Sequence, residues 1–163
     1  MMTTSRPMTQ CETAEEYKYS VVEVLYIEDK DDKGKSITAL PSDLYRYKNL
    51  HTIVCQHNKI KNVDVLQYLP HLKRLYFKDM MKITSLDCLP PRLEILQCIG
   101  TSIESLNNLP NTLQTLHCFA NEKLSSISVP DSLYNFASDS VIDGEEVTLE
   151  NIRSAQTSTY VFK

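Results

Sequence analysis

The chain repeats itself with a period of 20 residues, and this feature restricts its fold more than any other. Prolines recur at Pro70, Pro90, Pro110 and Pro130, and each follows an apolar residue. Such a period is typical of solenoids, in which each unit buries its apolar face against the next. The sequence therefore predicts a stack of similar units.

A second regularity lies inside each unit, where apolar residues recur at the first, fourth and sixth positions of a gapless segment. The segments are 50–58, 72–80, 93–101, 113–121 and 133–141, with an opening copy at 22–30. Because side chains alternate between the faces of a strand, the fourth and sixth residues share one face. We expect short parallel strands that bury a ladder of leucines.

A second apolar pair follows each strand, as at Ile60 and Val63, and proline comes after the pair. Proline fixes its own φ and disfavours helix at the residue before it. The convex side should therefore be extended, irregular or 3-10 in conformation.

The stretch SLDCLPPRLEILQCIGTSIESLNNLPNTLQTLHCFANEKLSSISVPDSL resembles the short LPxxLxxLxCxxN units of leucine-rich repeat proteins. Arrays of this type occur in bacterial effectors and in giant DNA viruses, and the unit at 37–60 is more like the 23-residue eukaryotic type. The resemblance covers roughly residues 22–141 and implies an α/β solenoid of about six repeats. It also implies a buried amide ladder through Asn58 and Asn121, interrupted at Met80 and Thr101.

Three segments follow from the limits of the pattern. We expect residues 1–20 to form an N-terminal tail or cover, 21–142 the repeat array, and 143–163 a C-terminal cap with a short helix. An array needs its open ends covered, so capping is the expected role of the last segment, with a dimer contact as the alternative. The charged segment 28–36 should form an exposed loop.

Five cysteines indicate reduced thiols rather than a disulfide framework. Their number is odd, no CxxC occurs, and the opening residues lack the apolar region of a secretory signal peptide. Cys55, Cys98 and Cys118 fall at the inward sixth position, where cysteine behaves as a small hydrophobe. We expect an intracellular, cytoplasmic protein, with a host cell or a virion as alternatives. No apolar stretch is long enough for a membrane helix.

The sequence offers no catalytic, cofactor or metal motif. Three glycines exclude a GxGxxG turn, and the GKS at Gly34–Ser36 lacks the glycine that a phosphate-binding loop needs at Asp29. The four histidines form neither HExxH nor a zinc-finger spacing, and no cysteine is followed two places later by aspartate. We expect a non-enzymatic protein that needs neither metal nor cofactor.

The concave face of the predicted sheet is the candidate working surface, because the third, fifth and seventh positions point away from the core. β-branched and aromatic residues suit strands in any case, so their presence there is not specific. Apolar surface with charge at its border is nevertheless typical of protein-binding faces. The candidate partner-binding residues are Tyr26, Arg74, Tyr76, Lys78, Ile95, Gln97, Ile99, His117 and Phe119.

Charge is uneven along the chain and leaves two alternatives open. Residues 46–82 hold 8 basic and 2 acidic residues, whereas the whole chain has a net charge of −4. Polyanion binding through 46–82 is the weaker alternative, and nucleic acid is not the expected partner, because nucleic-acid-binding domains are usually basic overall. The other alternative is a structural component of a larger assembly, such as a large DNA virus particle, or a host-directed effector. The preferred hypothesis is a module that binds another protein.

Overall fold

The computed structural model describes residues 2–4, 14–31, 33–139, 141–142, 145–146 and 148–154. In chain order the elements are β1 (Met2–Thr4), α1 (Ala14–Val21), β2 (Val22–Ile27), β3 (Thr52–Gln56), β4 (Arg74–Lys78), β5 (Ile95–Ile99), β6 (Ser105–Leu106), β7 (Thr115–His117), β8 (Ser126–Ile127), β9 (Asn135–Ala137), β10 (Val141–Ile142), β11 (Glu145–Glu146) and α2 (Leu149–Ser154). Two 3-10 segments, Leu44–Arg46 and Asp64–Tyr68, lie between β2 and β4.

Seven strands form one sheet in the order β1-β2-β3-β4-β5-β7-β9. From β2 to β9 all neighbours are parallel, and equivalent positions of successive units pair with each other. β1 adds to the edge of β2 as an antiparallel strand. The fold is therefore a parallel-strand solenoid, as the repeat predicts.

The number of regular turns is about four, fewer than the six repeats that the sequence predicts. The connections after β3 are short and nearly equal in length. In each case the third position of one strand pairs with the third position of the next. The first connection is longer because it contains an extra loop, whose described residues are 28–31 and 33–36. In this loop the Asp31 carboxylate accepts hydrogen bonds from the Lys33 and Lys35 amides at 3.0 and 2.9 Å. The extra loop makes the first unit irregular.

The convex side does not confirm the α/β character that the family resemblance implies. Its described residues are 3-10 turns, extended segments and the two-residue pair β6–β8, while both α-helices lie outside the turns of the array. A proline follows each apolar pair. Because its ring and its missing N–H oppose an α-helix, it accounts for the 3-10 and extended segments of the convex side. The expectation of a 3-10 or extended convex side agrees with the described turns.

The core is the ladder of first, fourth and sixth positions. The side chains of Leu50, Ile53 and Cys55 are fully buried, and Leu72, Leu75 and Phe77 repeat them in the next unit. One cluster of buried side chains runs from Tyr19 to Ile152 and so joins all units. Burial of this continuous apolar surface holds the stack together.

Asparagines at the ninth position bond neighbouring units, as the resemblance implies. Asn121 donates from Nδ2 to the Cys98 carbonyl at 2.7 Å, and its Oδ1 accepts from the Thr101 amide at 3.0 Å and from the Thr101 hydroxyl at 2.6 Å. Asn58 makes longer bonds, to the Ile27 carbonyl at 3.4 Å and from the Ile60 amide at 3.3 Å. Both side chains are buried and satisfied.

A buried side chain from an α-helix packs at each end of the array. At the N-terminal end Tyr19 of α1 is buried against Tyr47, with ring centroids 4.7 Å apart, and its hydroxyl bonds the Asp43 carboxylate. At the other end Ile152 of α2 is buried, and Arg153 donates to the carbonyls of the last unit. Residues 155–163 of the predicted cap, and its terminal strand, lie outside the described residues.

The eighth residue of each of the segments 50–58, 72–80, 93–101 and 113–121 adopts a left-handed backbone conformation. His57, Asp79, Gly100 and Ala120 have φ of 55°, 53°, 63° and 53°. The amides of the first three donate to the seventh-position carbonyls of the next unit, Lys78, Ile99 and Phe119. This conformation lets each strand end bond to its neighbour before the chain turns to the convex side.

Gly100→Ala should lower the free energy of unfolding by about 1–2 kcal/mol, because a Cβ strains this conformation. That Cβ would also lie 2.7 Å from Oδ1 of Asp79. Urea unfolding followed by circular dichroism measures the change. The matched reverse variant Ala120→Gly should stay within about 0.5 kcal/mol of the wild type, because relief of strain offsets the entropy of glycine. Equal losses in both variants would contradict this account.

Candidate functional site

The register of the sheet brings the concave-face candidates into two complete columns. The third positions align as Val24, Thr52, Arg74, Ile95, Thr115 and Asn135. The fifth positions align as Tyr26, Val54, Tyr76, Gln97, His117 and Ala137. Lys78 pairs with Ile99 in the seventh column, and Phe119 follows β7 at the same position. Neighbouring side chains in a column lie roughly 4.8 Å apart, so they form one surface.

The apolar patch on this surface consists of Tyr76, Ile95, Ile99, His117 and Phe119. All five are half-buried rather than fully exposed, because the short strands place their side chains in contact across the sheet. The rings of His117 and Phe119 meet edge to face with centroids 6.3 Å apart. Nδ1 of His117 lies 3.2 Å from Nε2 of Gln97, within hydrogen-bonding distance. Side chains of the patch are therefore in contact with one another and with Gln97.

Tyr26 stands apart from the rest of the candidate residues. It is the most exposed of the large hydrophobic residues on the concave columns, at 42%. In the register Val54 lies between Tyr26 and Tyr76, so two strand spacings separate the tyrosines. Val54 is not among the predicted site residues, although its place in the fifth column is the signal that could have included it.

Two candidate cations border the patch on β4. Neither the Arg74 nor the Lys78 side chain makes an ion pair or hydrogen bond with another described residue. Lys73, by contrast, is 2.8 Å from the Glu94 carboxylate. Arg74 and Lys78 are therefore available to a ligand.

The other basic residues of 46–82 do not join them on one face. Cζ of Arg46 packs 4.0 Å from the ring centroid of Tyr19, under α1. Lys59, Lys61 and Lys82 are exposed on the segments that follow β3 and β4. This spread weakens the polyanion alternative, which needs a single basic surface.

A histidine–aspartate pair lies at the edge of the concave face. Nδ1 of His57 is 3.2 Å from Oδ2 of Asp79, and both side chains are about half exposed. The pair follows from the left-handed turns, which place equivalent residues of adjacent units side by side. Sequence reasoning missed it because His57 and Asp79 belong to different units and are distant along the chain.

The three inward cysteines are inert parts of the core. Burial raises the pKa of the Cys55 thiol to about 12 and that of Cys118 to about 11. Burial, reinforced by the neighbouring Cys118, also holds the pKa of Cys98 well above its ordinary value. All three are free thiols. A thiol that stays protonated is a poor nucleophile and a poor metal ligand.

A cavity of about 250 Å³ lies away from the concave columns, between the first two units. Its walls are mostly apolar, with Tyr47, Leu50 and Leu69 at the base and Lys48 and His71 among the lining residues. It contains no candidate site residue. Across the ranges that the structure covers, His, Cys, Asp and Glu side chains do not gather in groups that suit a metal ion. None of the helices in those ranges is long and apolar enough to cross a membrane.

Comparisons with known proteins give no further guide to the function of this surface. Neither protein-family models nor curated proteins provide a match to this chain.

Proposed function

We propose that this chain is a non-enzymatic protein-interaction module of the leucine-rich repeat type, which binds a protein partner on its concave face. The observation that carries the proposal is the half-buried apolar patch of Tyr76, Ile95, Ile99, His117 and Phe119, bordered by Arg74 and Lys78. A contiguous apolar surface on a rigid sheet, with charge at its edge, suits a partner that excludes water from the centre.

The leucine-rich repeat assignment rests on features that agree at several levels. The short repeat period, the in-register parallel strands and the buried asparagines all belong to that repeat type. Three fully buried free cysteines suit a reducing compartment, which supports an intracellular location.

Tyr76→Ala combined with Phe119→Ala should lower partner affinity by about 1,000-fold, because aromatic anchors at the centre of an interface each contribute about 2 kcal/mol or more. The measurement is affinity capture from a lysate of the native source, with quantitative mass spectrometry. The control Tyr45→Ala combined with Tyr68→Ala removes two aromatics from the 3-10 segments, where both are about two-thirds exposed. Capture should be unchanged in the control.

Circular dichroism must first show that both double variants are folded. A partner retained by folded Tyr76→Ala/Phe119→Ala protein would exclude the concave patch as the binding surface. Its loss on deleting 143–163 would then favour the assembly-component alternative, because an assembled subunit makes its contacts at its ends and edges.

A further inference from the structure

The strand β4 presents a cation, an aromatic ring and a second cation on the concave face. Arg74, Tyr76 and Lys78 alternate along one strand, so the two cations start roughly 13 Å apart at about 3.3 Å per residue. Each lacks an ion pair with the described residues, whereas Lys73 on the same strand edge is neutralised by Glu94. The two cations thus make no ion pair with described residues, although the Asp79 carboxylate lies at the edge of the same face, 3.2 Å from Nδ1 of His57.

Apolar side chains lie directly beside these cations. Ile95 pairs with Arg74 and Ile99 pairs with Lys78 in the register of β4 and β5. Gln97, between the two isoleucines, is within hydrogen-bonding distance of His117. A ligand that covers this area therefore contacts cations on β4 and apolar side chains on β5, and the two strands lie roughly 4.8 Å apart.

Negative charge marks both ends of the same face. Glu28 directly follows β2 and is exposed. Asp139 follows β9, and its carboxylate oxygens both accept from the Ala120 amide at 2.9 Å. A negatively charged ligand is attracted by the cations of β4. It is repelled by Glu28 and Asp139 at the two ends and by Asp79 at the edge, which restricts where its carboxylates can lie.

We infer that the partner segment is an acidic peptide with apolar side chains, whose carboxylates pair with Arg74 and Lys78 and whose apolar groups cover Ile95, Ile99 and Phe119. The inference rests on the proposed function and names the class of partner. Two cations beside an apolar strip suit such a peptide better than a nucleic acid, which needs a longer row of phosphate contacts.

The test is selection from a displayed library of random peptides of about 10 residues, which when extended exceed the roughly 24 Å width of six strands. Wild-type protein should enrich peptides that contain both Asp or Glu and Leu, Ile or Phe. Synthetic copies of the enriched peptides are then measured by fluorescence anisotropy. Raising NaCl from about 50 to about 500 mM should weaken them severalfold, because salt screens the exposed charges.

Charge variants assign the contacts. Arg74→Glu combined with Lys78→Glu should weaken the selected peptides by at least about tenfold, and Arg74→Gln combined with Lys78→Gln by less. The control Lys59→Glu combined with Lys82→Glu makes the same change in net charge on exposed residues outside the strands. The control should bind within about twofold of the wild type.

The outcomes separate this inference from the proposed function. Selected peptides that are basic or uncharged, or that bind Arg74→Glu/Lys78→Glu as well as wild type, would overturn the acidic class. If those peptides still require Tyr76 and Phe119, the concave face remains the binding surface. A library that yields no enriched peptide, or only peptides insensitive to Tyr76→Ala/Phe119→Ala, would overturn the inference as well.

Discussion

Replacing Asn121 with alanine should lower the free energy of unfolding by about 4 kcal/mol, because three buried groups then lose their hydrogen-bond partner. The groups are the Cys98 carbonyl, the Thr101 amide and the Thr101 hydroxyl, bonded at 2.6 to 3.0 Å. An unsatisfied buried polar group costs about 1–3 kcal/mol, and the small cavity left by alanine adds to the loss. Equilibrium unfolding in urea, followed by circular dichroism, measures the change.

Asn58→Ala is the matched control, because Asn58 occupies the equivalent position of an earlier unit. Its bonds of 3.4 and 3.3 Å are weaker, and we expect a loss of about 1–2 kcal/mol. Asn107→Ala removes an exposed amide and should change stability by less than about 0.5 kcal/mol. A loss at Asn121 no larger than that at Asn58 would show that the shorter bonds add nothing to the stack.

The burial of the core could be predicted from the sequence because it depends on spacing alone. Strand alternation places the fourth and sixth positions inward whatever their exact type, and Ile53, Cys55, Leu75 and Phe77 are all buried accordingly. The same spacing predicts the parallel register. The repeat pattern overestimates the number of regular turns. The opening copy has the same apolar spacing as the others, but the extra loop after β2 makes its connection to β3 longer than the later ones.

The left-handed turns could be predicted only in part, because not all of the residues that form them favour positive φ. His57, Asp79, Gly100 and Ala120 differ in size, charge and preference for positive φ. Glycine adopts positive φ without strain, and aspartate and histidine do so more often than most residues, whereas alanine does not. At Ala120 the conformation is therefore stabilised by the hydrogen bonds that its amide donates to the Asp139 carboxylate of the next unit. Local propensity therefore favours the turn at three of the four positions, whereas tertiary bonding overrides it at Ala120.

The candidate site, like the fold, could be predicted only in part from the sequence. Alternation correctly predicts which columns face away from the core, but not how far neighbours cover one another, so the patch is less exposed than expected. Nor does the sequence reveal that Lys73 pairs with Glu94 while Arg74 has no partner among the described residues. Such ion pairs depend on which side chains meet across neighbouring units, and only the three-dimensional structure shows this.

The three buried cysteines should make the fold sensitive to alkaline pH. Their pKa values are raised on folding from an ordinary 9.0, to about 12 for Cys55 and about 11 for Cys118, with Cys98 also well above 9.0. Above pH 9 the unfolded chain releases these protons, whereas the folded chain keeps them until the pH reaches its own higher pKa values. The resulting stabilisation is complete below pH 9 and is lost as pH rises through the folded pKa values.

The expected size follows from about 1.4 kcal/mol for each pH unit and each thiol. At pH 10 the free energy of unfolding should be lower by about 3 kcal/mol than at pH 7 because of Cys55 and Cys118 together, and Cys98 adds to this loss in the same direction. Urea midpoints measured at several pH values between these limits give the slope. Tyrosines and lysines also titrate in this range, so the wild-type slope alone does not isolate the thiols.

Cysteine variants separate the contribution of the thiols to the pH dependence of stability from the contribution of the tyrosines and lysines. Each of Cys55→Ala, Cys98→Ala and Cys118→Ala should remove about a third of the thiol contribution to the pH dependence, even though each also lowers stability at neutral pH by leaving a small cavity. Cys88→Ala is the control. Burial and the nearby Asp64 and Asp87 also raise the pKa of the Cys88 thiol, but Cys88 is only half-buried, and the variant should leave the contribution of the three core thiols in place. If the three core variants keep the wild-type slope, the thiols ionise inside the folded protein, and water must then reach the sixth position of the array.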